Sequence, residues 1–314
     1  MWQETTLGQG QGRWQIKIRQ RTREAIAGWL FTSPWIIGFL VFVLGPMLAS
    51  IALALMRWDL LTPPKLVGLE NFRKLLTDDP LVWQSFKVTS IYAFTSVPLS
   101  VSAALFIALL LNQKIKLLSL YRSIYYLPSV IGGVAIAVMW RTIFGTRFGL
   151  VNGFLRTLGI KGPSWLGDSK WVIVSFVVMS LWGAGRGMLI YLGGLQGIPT
   201  SLYEAAEVDG ANAFRKFIHV TVPMMTPVIF FNAVMGLIGA LQTFIEPFIM
   251  TGGGPHNASL FVVLYLYRNA FQYFKMGYAS ALAWMLFIYI MVLTALVIRS
   301  SSAWVYYEGS LKGR

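Results

Sequence analysis

The sequence is poor in charged side chains and contains no cysteine. Only 12% of its 314 residues are Asp, Glu, Lys or Arg, whereas 56% are hydrophobic. A soluble domain carries roughly 25% charged residues, so this chain has too little charge to cover a surface that faces water. The composition therefore favours a membrane protein. The missing cysteines exclude disulfides, thiolate metal sites and a cysteine nucleophile.

Motifs of nucleotide-binding and catalytic sites are also missing. The chain has no Gly-x-x-x-x-Gly-Lys-Ser/Thr loop to hold phosphates and no Gly-x-Ser-x-Gly nucleophile motif. Its two histidines, His219 and His256, fall on opposite sides of the membrane in the topology predicted below, so they predict no shared metal site. We expect neither an enzyme nor a chain that binds a cofactor of its own.

The formal net charge of +14 raises the question of nucleic acid binding. The basic residues, however, lie in short loops between apolar runs, which is where membrane proteins carry flanking charge. We therefore expect contact with membrane lipid and none with nucleic acid.

Six apolar stretches are long enough to cross a bilayer, whose hydrocarbon core of about 30 Å needs about 20 helical residues. A seventh stretch, 260–267, is too short to span and is predicted to pack near the outer surface. The fold class expected is an all-α integral membrane protein with about six transmembrane helices. These helices are predicted at about 29–56, 88–111, 123–144, 171–194, 227–250 and 279–298.

The chain divides into a membrane domain, 29–300, and two polar ends, 1–28 and 301–314. The basic residues of the loops split almost evenly between the two sides, but five of them precede the first span. Because charge near the first span has most weight, we predict a cytoplasmic N-terminus. With six spans, both tails are then cytoplasmic.

The segment 198–223, between the fourth and fifth spans, has the pattern of a surface helix. Pro199 precedes Ser201 and Glu204, which have the spacing of a capping box. Gly210 is placed to end the helix in a left-handed turn. A second helical stretch is predicted to follow as far as Pro223.

This segment resembles the coupling loop of the inner-membrane permeases of binding-protein-dependent ABC importers. Their signature is Glu-Ala-Ala, three residues, Gly, nine residues, then an aliphatic residue, any residue, an aliphatic residue and Pro. The matching residues here are Glu204, Ala205, Ala206, Gly210, Val220, Val222 and Pro223.

The resemblance implies that this helix docks in a cleft of an ATPase subunit and transmits its closure. Small alanines permit close approach, and Glu204 can pair with a basic residue of the ATPase, unless it serves only as the capping partner. The residues expected to couple to the ATPase are Glu204, Ala205, Ala206, Asp209 and Gly210.

Four further segments, 58–76, 193–199, 251–255 and 276–283, resemble the sugar-importer permeases of the maltose type. The resemblance implies a carbohydrate substrate and a multi-pass protein of the bacterial inner membrane. It also implies three kinds of partner: a second similar permease, an ATPase dimer that binds ATP and Mg, and a periplasmic or lipid-anchored solute-binding protein. The large outer domain of the maltose permease is absent, so the binding protein is expected to dock on short outer loops.

Ionisable residues within spans are costly and usually functional, and Arg186 and Glu246 stand out among those in the predicted spans. In sugar permeases of this type, the matching part of the fourth span lines the substrate site, and a neutral polar or aromatic residue is usual at the position of Arg186. A cation facing the cavity would suit an acidic oligosaccharide such as an oligouronate, or a phosphorylated polyol. Alternatively, Arg186 pairs with Glu246 or with carbonyl groups, which leaves a neutral oligosaccharide open. The other residues expected along the path are Trp182, Gly183, Gln242 and Thr243.

Two other classes of protein fit the sequence less well. A secondary transporter or channel would usually show acidic or histidine proton relays or paired broken helices, which are not evident in the sequence. A membrane-embedded enzyme would need clustered catalytic groups, which are also not evident. A permease of an ATP-driven importer explains the coupling loop, and neither alternative does.

Overall fold

A computed structural model describes residues 10–113 and 116–306. Parts of both predicted cytoplasmic tails, residues 1–9 and 307–314, lie outside the described residues, and so do residues 114 and 115. The predicted domain boundaries therefore stay predictions.

The first half of the described chain contains seven helices and one short hairpin, in which Met56 pairs with Leu66 in antiparallel β-strands. A π-helical segment, Leu40–Leu44, joins the first two helices, and a 3-10 turn, Leu127–Ser129, follows the fifth. The elements are α1 (Gly10–Phe39), α2 (Gly45–Ala54), β1 (Met56–Arg57), β2 (Lys65–Leu66), α3 (Glu70–Thr77), α4 (Pro80–Leu111), α5 (Leu118–Tyr126), α6 (Gly133–Ile143) and α7 (Leu150–Thr157).

The second half is helical throughout its regular elements. π-helical segments join the eleventh helix to the twelfth, at Phe217–Thr221, and follow the fourteenth, at Arg268–Gln272. The helices are α8 (Val172–Trp182), α9 (Gly185–Gln196), α10 (Thr200–Val208), α11 (Ala213–Lys216), α12 (Val222–Leu241), α13 (Ile245–Met250), α14 (Val262–Tyr267) and α15 (Met276–Trp304).

Four helical segments are long and apolar enough to cross a membrane: Thr22–Ala54, Pro80–Leu111, Ala213–Met250 and Met276–Trp304. Two bent pairs pass the same test together, α5 with α6 and α8 with α9. The expected all-α membrane fold is confirmed. The count reaches the predicted six when each bent pair is counted as one span.

The third and fourth spans are broken, whereas the sequence predicted a continuous apolar helix for each. The helix axes bend by 94° between α5 and α6 and by 47° between α8 and α9. Pro128 and Gly132 lie at the first break, and Gly183 lies at the second. Proline cannot donate a helix hydrogen bond and glycine favours the unfolded chain, so both residue types weaken a helix that hydropathy alone would continue.

The two breaks pack against each other. Gly185, the first residue of α9, lies so close to the end of α5 that an added Cβ would be 1.8 Å from the Tyr125 carbonyl oxygen. Next to it, the Arg186 Nη2 atom donates to the Ser129 carbonyl oxygen at 3.4 Å. Irregular backbone at membrane depth is tolerated where protein or a water-filled cavity shields it. The two broken spans thus cover each other where their backbones are irregular.

The segment 260–267 does not span, as expected, and it forms part of the buried core. Leu260, Phe261 and Val262 are fully buried, and the Val262 N–H donates to the Thr89 hydroxyl of α4 at 3.0 Å. This contact fastens the short helix α14 to α4.

Asp79, the residue that caps α4, fastens α14 and α15 to the same point. Its carboxylate accepts hydrogen bonds from the hydroxyl groups of Tyr265, at 2.5 Å, and of Tyr278. Burial, together with this carboxylate, raises the pKa of Tyr265 to about 12.

The first span lies mostly outside this packed body. None of its most apolar 18-residue window is buried by the rest of the chain, and Phe31 and Phe42 are almost fully exposed. Its later part, α2, packs against α15, where the Trp284 indole donates to the Ser50 hydroxyl at 3.0 Å. This surface fits a helix whose surroundings are lipid or another membrane subunit.

The crossing of the two broken spans yields a stability prediction. Gly185→Ala places a methyl group against the Tyr125 carbonyl oxygen, and overpacking of this kind costs about 1–3 kcal/mol. Gly193→Ala is a matched control, because Gly193 lies on the same helix, with no atom within 4 Å of the added Cβ. We expect Gly185→Ala to lower the thermal unfolding temperature of the assembled complex in detergent by several degrees. Gly193→Ala should leave it unchanged or raise it. Equal behaviour of the two variants would contradict the close packing of the breaks.

Candidate functional site

The surface helix α10 begins two residues earlier than a capping box at Ser201 would require, with Pro199 and not Ser201 as its N-cap. Pro199 has the extended backbone of a helix boundary, and no side chain caps the helix from that position. Ser201 is already the second helical residue, so the predicted capping box is wrong. Glu204 is exposed, and within residues 10–113 and 116–306 its carboxylate has no hydrogen bond or ion pair.

The C-terminal end of α10 is a left-handed glycine turn, as the sequence predicted. Gly210 has φ +73°. Its N–H donates to the Glu207 carbonyl at 2.9 Å, and the Ala211 N–H donates to the Ala206 carbonyl at 2.8 Å. This pair of bonds is the Schellman arrangement, which satisfies the last carbonyl groups of a helix. The helix is therefore closed firmly at this end.

The sequence predicted that the second helical stretch ends at Pro223. In the structure it continues past Pro223 into the fifth span. Asn212 caps its start by accepting from the Arg215 N–H at 2.9 Å. The helix passes through the π-helical segment Phe217–Thr221 and enters α12 at Val222. Pro223 is the second residue after this segment, which already interrupts the regular pattern of helix hydrogen bonds. The fifth span thus starts at the coupling loop itself.

Two side-chain contacts tie α10 to this continuous helix. The hydroxyl groups of Tyr203 and Thr221 are 3.0 Å apart, with Thr221 buried. Lys216 Nζ lies 2.6 Å from a carboxylate oxygen of Glu207. The exposed ion pair contributes little by itself, about 0–1 kcal/mol. Together with the turn at Gly210, the two contacts hold α10 and the start of α12 in a fixed relative position. Sequence reasoning missed them, because no pattern in the chain relates these residues.

A cavity of about 280 Å³ lies between α4, the broken span α8–α9, and α12. Among the described residues, no charged side chain lines it. Glycine and alanine residues leave it room, and the hydroxyl groups of Ser100 and Ser180 approach to 3.4 Å across it. Its polar lining consists of Tyr92, Ser96, Ser100, Ser180, Tyr191, Asn232 and Thr243. In the described part of the chain, no group of three or more His, Asp or Glu side chains could hold a metal ion.

The structure places two of the six residues predicted for the substrate path in the lining of this cavity, namely Gly183 and Thr243. Trp182 stacks edge-on against Trp140, with ring centroids 6.1 Å apart. Gln242 is exposed at the end of α12, and Glu246 is half-buried in α13. The other four residues predicted for the path are not part of the cavity lining.

Arg186 lies beside the cavity, at the crossing of the broken spans. Its side chain is exposed and donates to the Ser129 carbonyl oxygen. Among the residues that the structure describes, it forms no ion pair with Glu246. The contact with a carbonyl group is one of the two structural alternatives that the sequence left open. It leaves the positive charge of the guanidinium unpaired.

The half-helix α6 begins close to Arg186. Ser129 is four residues before Gly133, the start of α6, and no side chain caps this start. The N-terminus of a helix carries a partial positive charge, and half-helix ends of this kind face substrate groups in many transporters. Two features of positive potential, the guanidinium and the helix end, thus meet at the crossing.

The long helices, the two broken spans, the central cavity and the braced surface helix together define the membrane subunit of a transporter. Comparison with known proteins identifies its family. Residues 91–303 match the family described as binding-protein-dependent transport system inner membrane component. The chain is 45% identical over 296 residues to the probable ABC transporter permease protein YesP of Bacillus subtilis (strain 168), covering 93% of this chain and 96% of YesP.

A second relative is the lactose transport system permease protein LacF of Rhizobium radiobacter. It is 35% identical over 280 residues, covering 86% of this chain and 92% of LacF. Among solved structures, a chain of a bacterial ABC transporter involved in the import of the acidic polysaccharide alginate superposes with a TM-score of 0.78. It is 23% identical and covers 91% of this chain and 99% of its own length. That likeness shows the fold.

The protein belongs to the family of inner-membrane components of binding-protein-dependent transport systems. It is the membrane-spanning permease subunit of an ABC importer, and separate subunits hydrolyse the ATP. The family resemblance found in the coupling loop is thereby confirmed.

The brace between α10 and α12 consists of the contacts Tyr203–Thr221 and Glu207–Lys216. It predicts that import is coupled less tightly to ATP hydrolysis when the Tyr203–Thr221 hydrogen bond is removed. Tyr203→Phe keeps the ring but removes the bond to Thr221, and one such bond is worth about 0.5–1.5 kcal/mol. We expect the number of solutes imported per ATP hydrolysed to fall about two- to tenfold, while the ATPase stays bound. Tyr121→Phe, at an exposed tyrosine of α5, is the control and should leave this ratio unchanged. A Tyr203→Phe importer that keeps the normal ratio would refute the brace.

Proposed function

We propose that this chain, with a second similar permease, forms the membrane pathway of an ATP-driven importer for oligosaccharides. The observation that carries the proposal is the cavity between α4, α8–α9 and α12, whose lining offers hydroxyl, amide and aromatic groups and no charge. Such groups match the hydroxyl groups and apolar faces of sugar rings. The sugar named for LacF, lactose, supports the same class of substrate.

For the coupling step, we propose that α10 docks in a cleft of the partner ATPase. The ATPase is also the subunit that binds ATP and Mg. Glu204 and Asp209 are exposed and available to basic residues of the ATPase, and Ala205 is exposed and small enough for close approach. ATP binding closes the ATPase dimer and moves α10. Because α10 is braced to α12, the motion reaches a wall of the cavity and opens it to the other side of the membrane.

The orientation follows from this assignment. With α10 on the cytoplasmic side and each bent pair counted as one span, the N-terminus and both tails are cytoplasmic. The hairpin β1–β2, α3 and the chain from 251 to 275 then lie on the outer side of the bacterial inner membrane. A periplasmic or lipid-anchored solute-binding protein docks there. The second permease contacts the exposed first span.

For the substrate we propose an acidic oligosaccharide such as an oligouronate. Its hydroxyl groups bind within the uncharged cavity, and a carboxylate lies near Arg186 and the start of α6. The unpaired guanidinium supports this assignment, and so does the acidic polysaccharide named for the structurally similar alginate transporter. A phosphorylated polyol would use the same cation. A neutral oligosaccharide is the second candidate, favoured by the absence of charge in the cavity lining.

The coupling assignment predicts that alanine in a left-handed turn impairs transport at Gly210, which meets the ATPase, but not at Gly159. Gly210→Ala and Gly159→Ala place a Cβ at nearly the same left-handed backbone, φ +73° and +74°, with no atom within 4 Å of either. The intrinsic strain is therefore matched. We expect Gly210→Ala to weaken ATPase association and to reduce uptake into reconstituted vesicles about tenfold, and Gly159→Ala to change neither. Glu204→Gln should weaken association as well. Normal association and uptake in both Gly210→Ala and Glu204→Gln would refute the assignment.

The substrate assignment is tested by a second matched pair. Arg186→Gln removes the cation beside the cavity, and Arg141→Gln removes an exposed cation that also donates to a carbonyl oxygen, that of Ile249, at 3.4 Å. The probes are a galacturonate trisaccharide and the neutral galactose trisaccharide, each measured by uptake and by stimulation of ATP hydrolysis. We expect Arg186→Gln to reduce uptake of the acidic probe at least tenfold and Arg141→Gln to have no effect.

Full uptake of the acidic probe by Arg186→Gln would show that Arg186 is structural. If the unmodified importer takes up only the neutral probe, the neutral oligosaccharide is the substrate class.

A further inference from the structure

Tyr191 carries a buried hydroxyl group that the folded chain does not satisfy. The residue is fully buried in α9, and its oxygen has no hydrogen-bond partner among the described residues. Leaving a buried polar group unpaired costs about 1–3 kcal/mol, whereas phenylalanine would fill the same space without that cost. Packing therefore does not explain the hydroxyl group. Tyr191 is one of the residues around the cavity, so a turn of its ring toward the cavity during transport would let a group inside it bind the hydroxyl.

Asn232 of α12 lies near Tyr191, with Gly187 between them. A Cβ added to Gly187 would lie 3.8 Å from the Tyr191 ring and 3.9 Å from the Asn232 side-chain oxygen. The Asn232 amide donates one hydrogen bond, to the Val228 carbonyl of its own helix at 2.9 Å. Its oxygen and second N–H have no partner within the part of the chain that the structure describes.

These residues lie at one end of the cavity. Tyr191 is the lining residue of α9 nearest along the chain to α10, and Asn232 is the lining residue of α12 nearest to the coupling loop. At the other end lie Tyr92, Ser180 and Thr243. A solute that crosses the cavity toward the side of α10 would therefore meet Tyr191 and Asn232 last.

We infer that Tyr191 and Asn232 form a subsite for the hydroxyl groups of a sugar, at the end of the cavity nearer to the coupling helix. A phenol donates and accepts, and so does a carboxamide, which allows the pair to bind two neighbouring hydroxyl groups of one ring. This inference rests on the proposed oligosaccharide import and adds the place where the solute is held before its release. It is independent of Arg186 and of the charge of the substrate.

The test uses the importer reconstituted with its ATPase and its solute-binding protein, with the galacturonate and galactose trisaccharides as probes. Tyr191→Phe removes the hydroxyl group and keeps the ring. We expect the maximal uptake rate of the transported probe to fall about three- to tenfold, while the thermal unfolding temperature stays the same or rises. A purely structural role would instead lower the unfolding temperature.

Thr294→Val is the matched control. Thr294 of α15 also carries a buried hydroxyl oxygen without a partner in the described chain, but it does not line the cavity. Its replacement should leave uptake unchanged. Asn232→Ala is the second test variant and should reduce uptake as Tyr191→Phe does.

Three results would overturn the subsite: normal uptake by Tyr191→Phe, normal uptake by Asn232→Ala, or a fall in uptake equally large in Thr294→Val. If the unmodified importer transports neither probe, the proposed oligosaccharide import fails instead. The two failures are therefore distinguishable.

Discussion

Backbone N–H and C=O groups have no water to bind inside a bilayer, and much of this structure follows from that constraint. A span can break only where its freed groups are covered by protein or face a cavity. Here the breaks of two spans lie against each other, with Gly185 on the Tyr125 carbonyl group. Residues on either side of the second break, Ser180, Gly183 and Gly187, line the cavity. The irregular backbone of the second break thus borders the cavity that we propose as the solute pathway.

Transport also needs part of the molecule to move as a rigid body. The helix α10, which we propose couples to the ATPase, ends in a closed glycine turn and is tied to the fifth span through Tyr203 and Lys216. That span then runs without a loop from the cytoplasmic surface proposed here to the cavity wall at Asn232. Firm contacts between α10 and the fifth span, and small side chains at the cavity wall, would allow a movement of α10 to change the shape of the cavity.

The polar groups of the pathway divide into two sets by their chemistry. Uncharged hydroxyl and amide groups lie in the cavity, where a solute can replace the water that they would otherwise bind. The Arg186 guanidinium lies outside the cavity lining, at the crossing of the broken spans, where it is exposed and forms no ion pair with any described residue. A sugar with acidic substituents would use both sets, and a neutral sugar only the first.

The sequence by itself determined the membrane class, the all-α fold, the position of α10 and its left-handed end at Gly210, because hydropathy and turn chemistry are local properties. Only the tertiary structure decided the rest. Pro128 and Gly183 become breaks because another helix can cover them there, and the brace joins residues 18 positions apart. The lining of the cavity, with Tyr191 inside and Arg186 beside it, depends on how three distant spans rotate against each other, and no periodicity of the chain encodes that rotation.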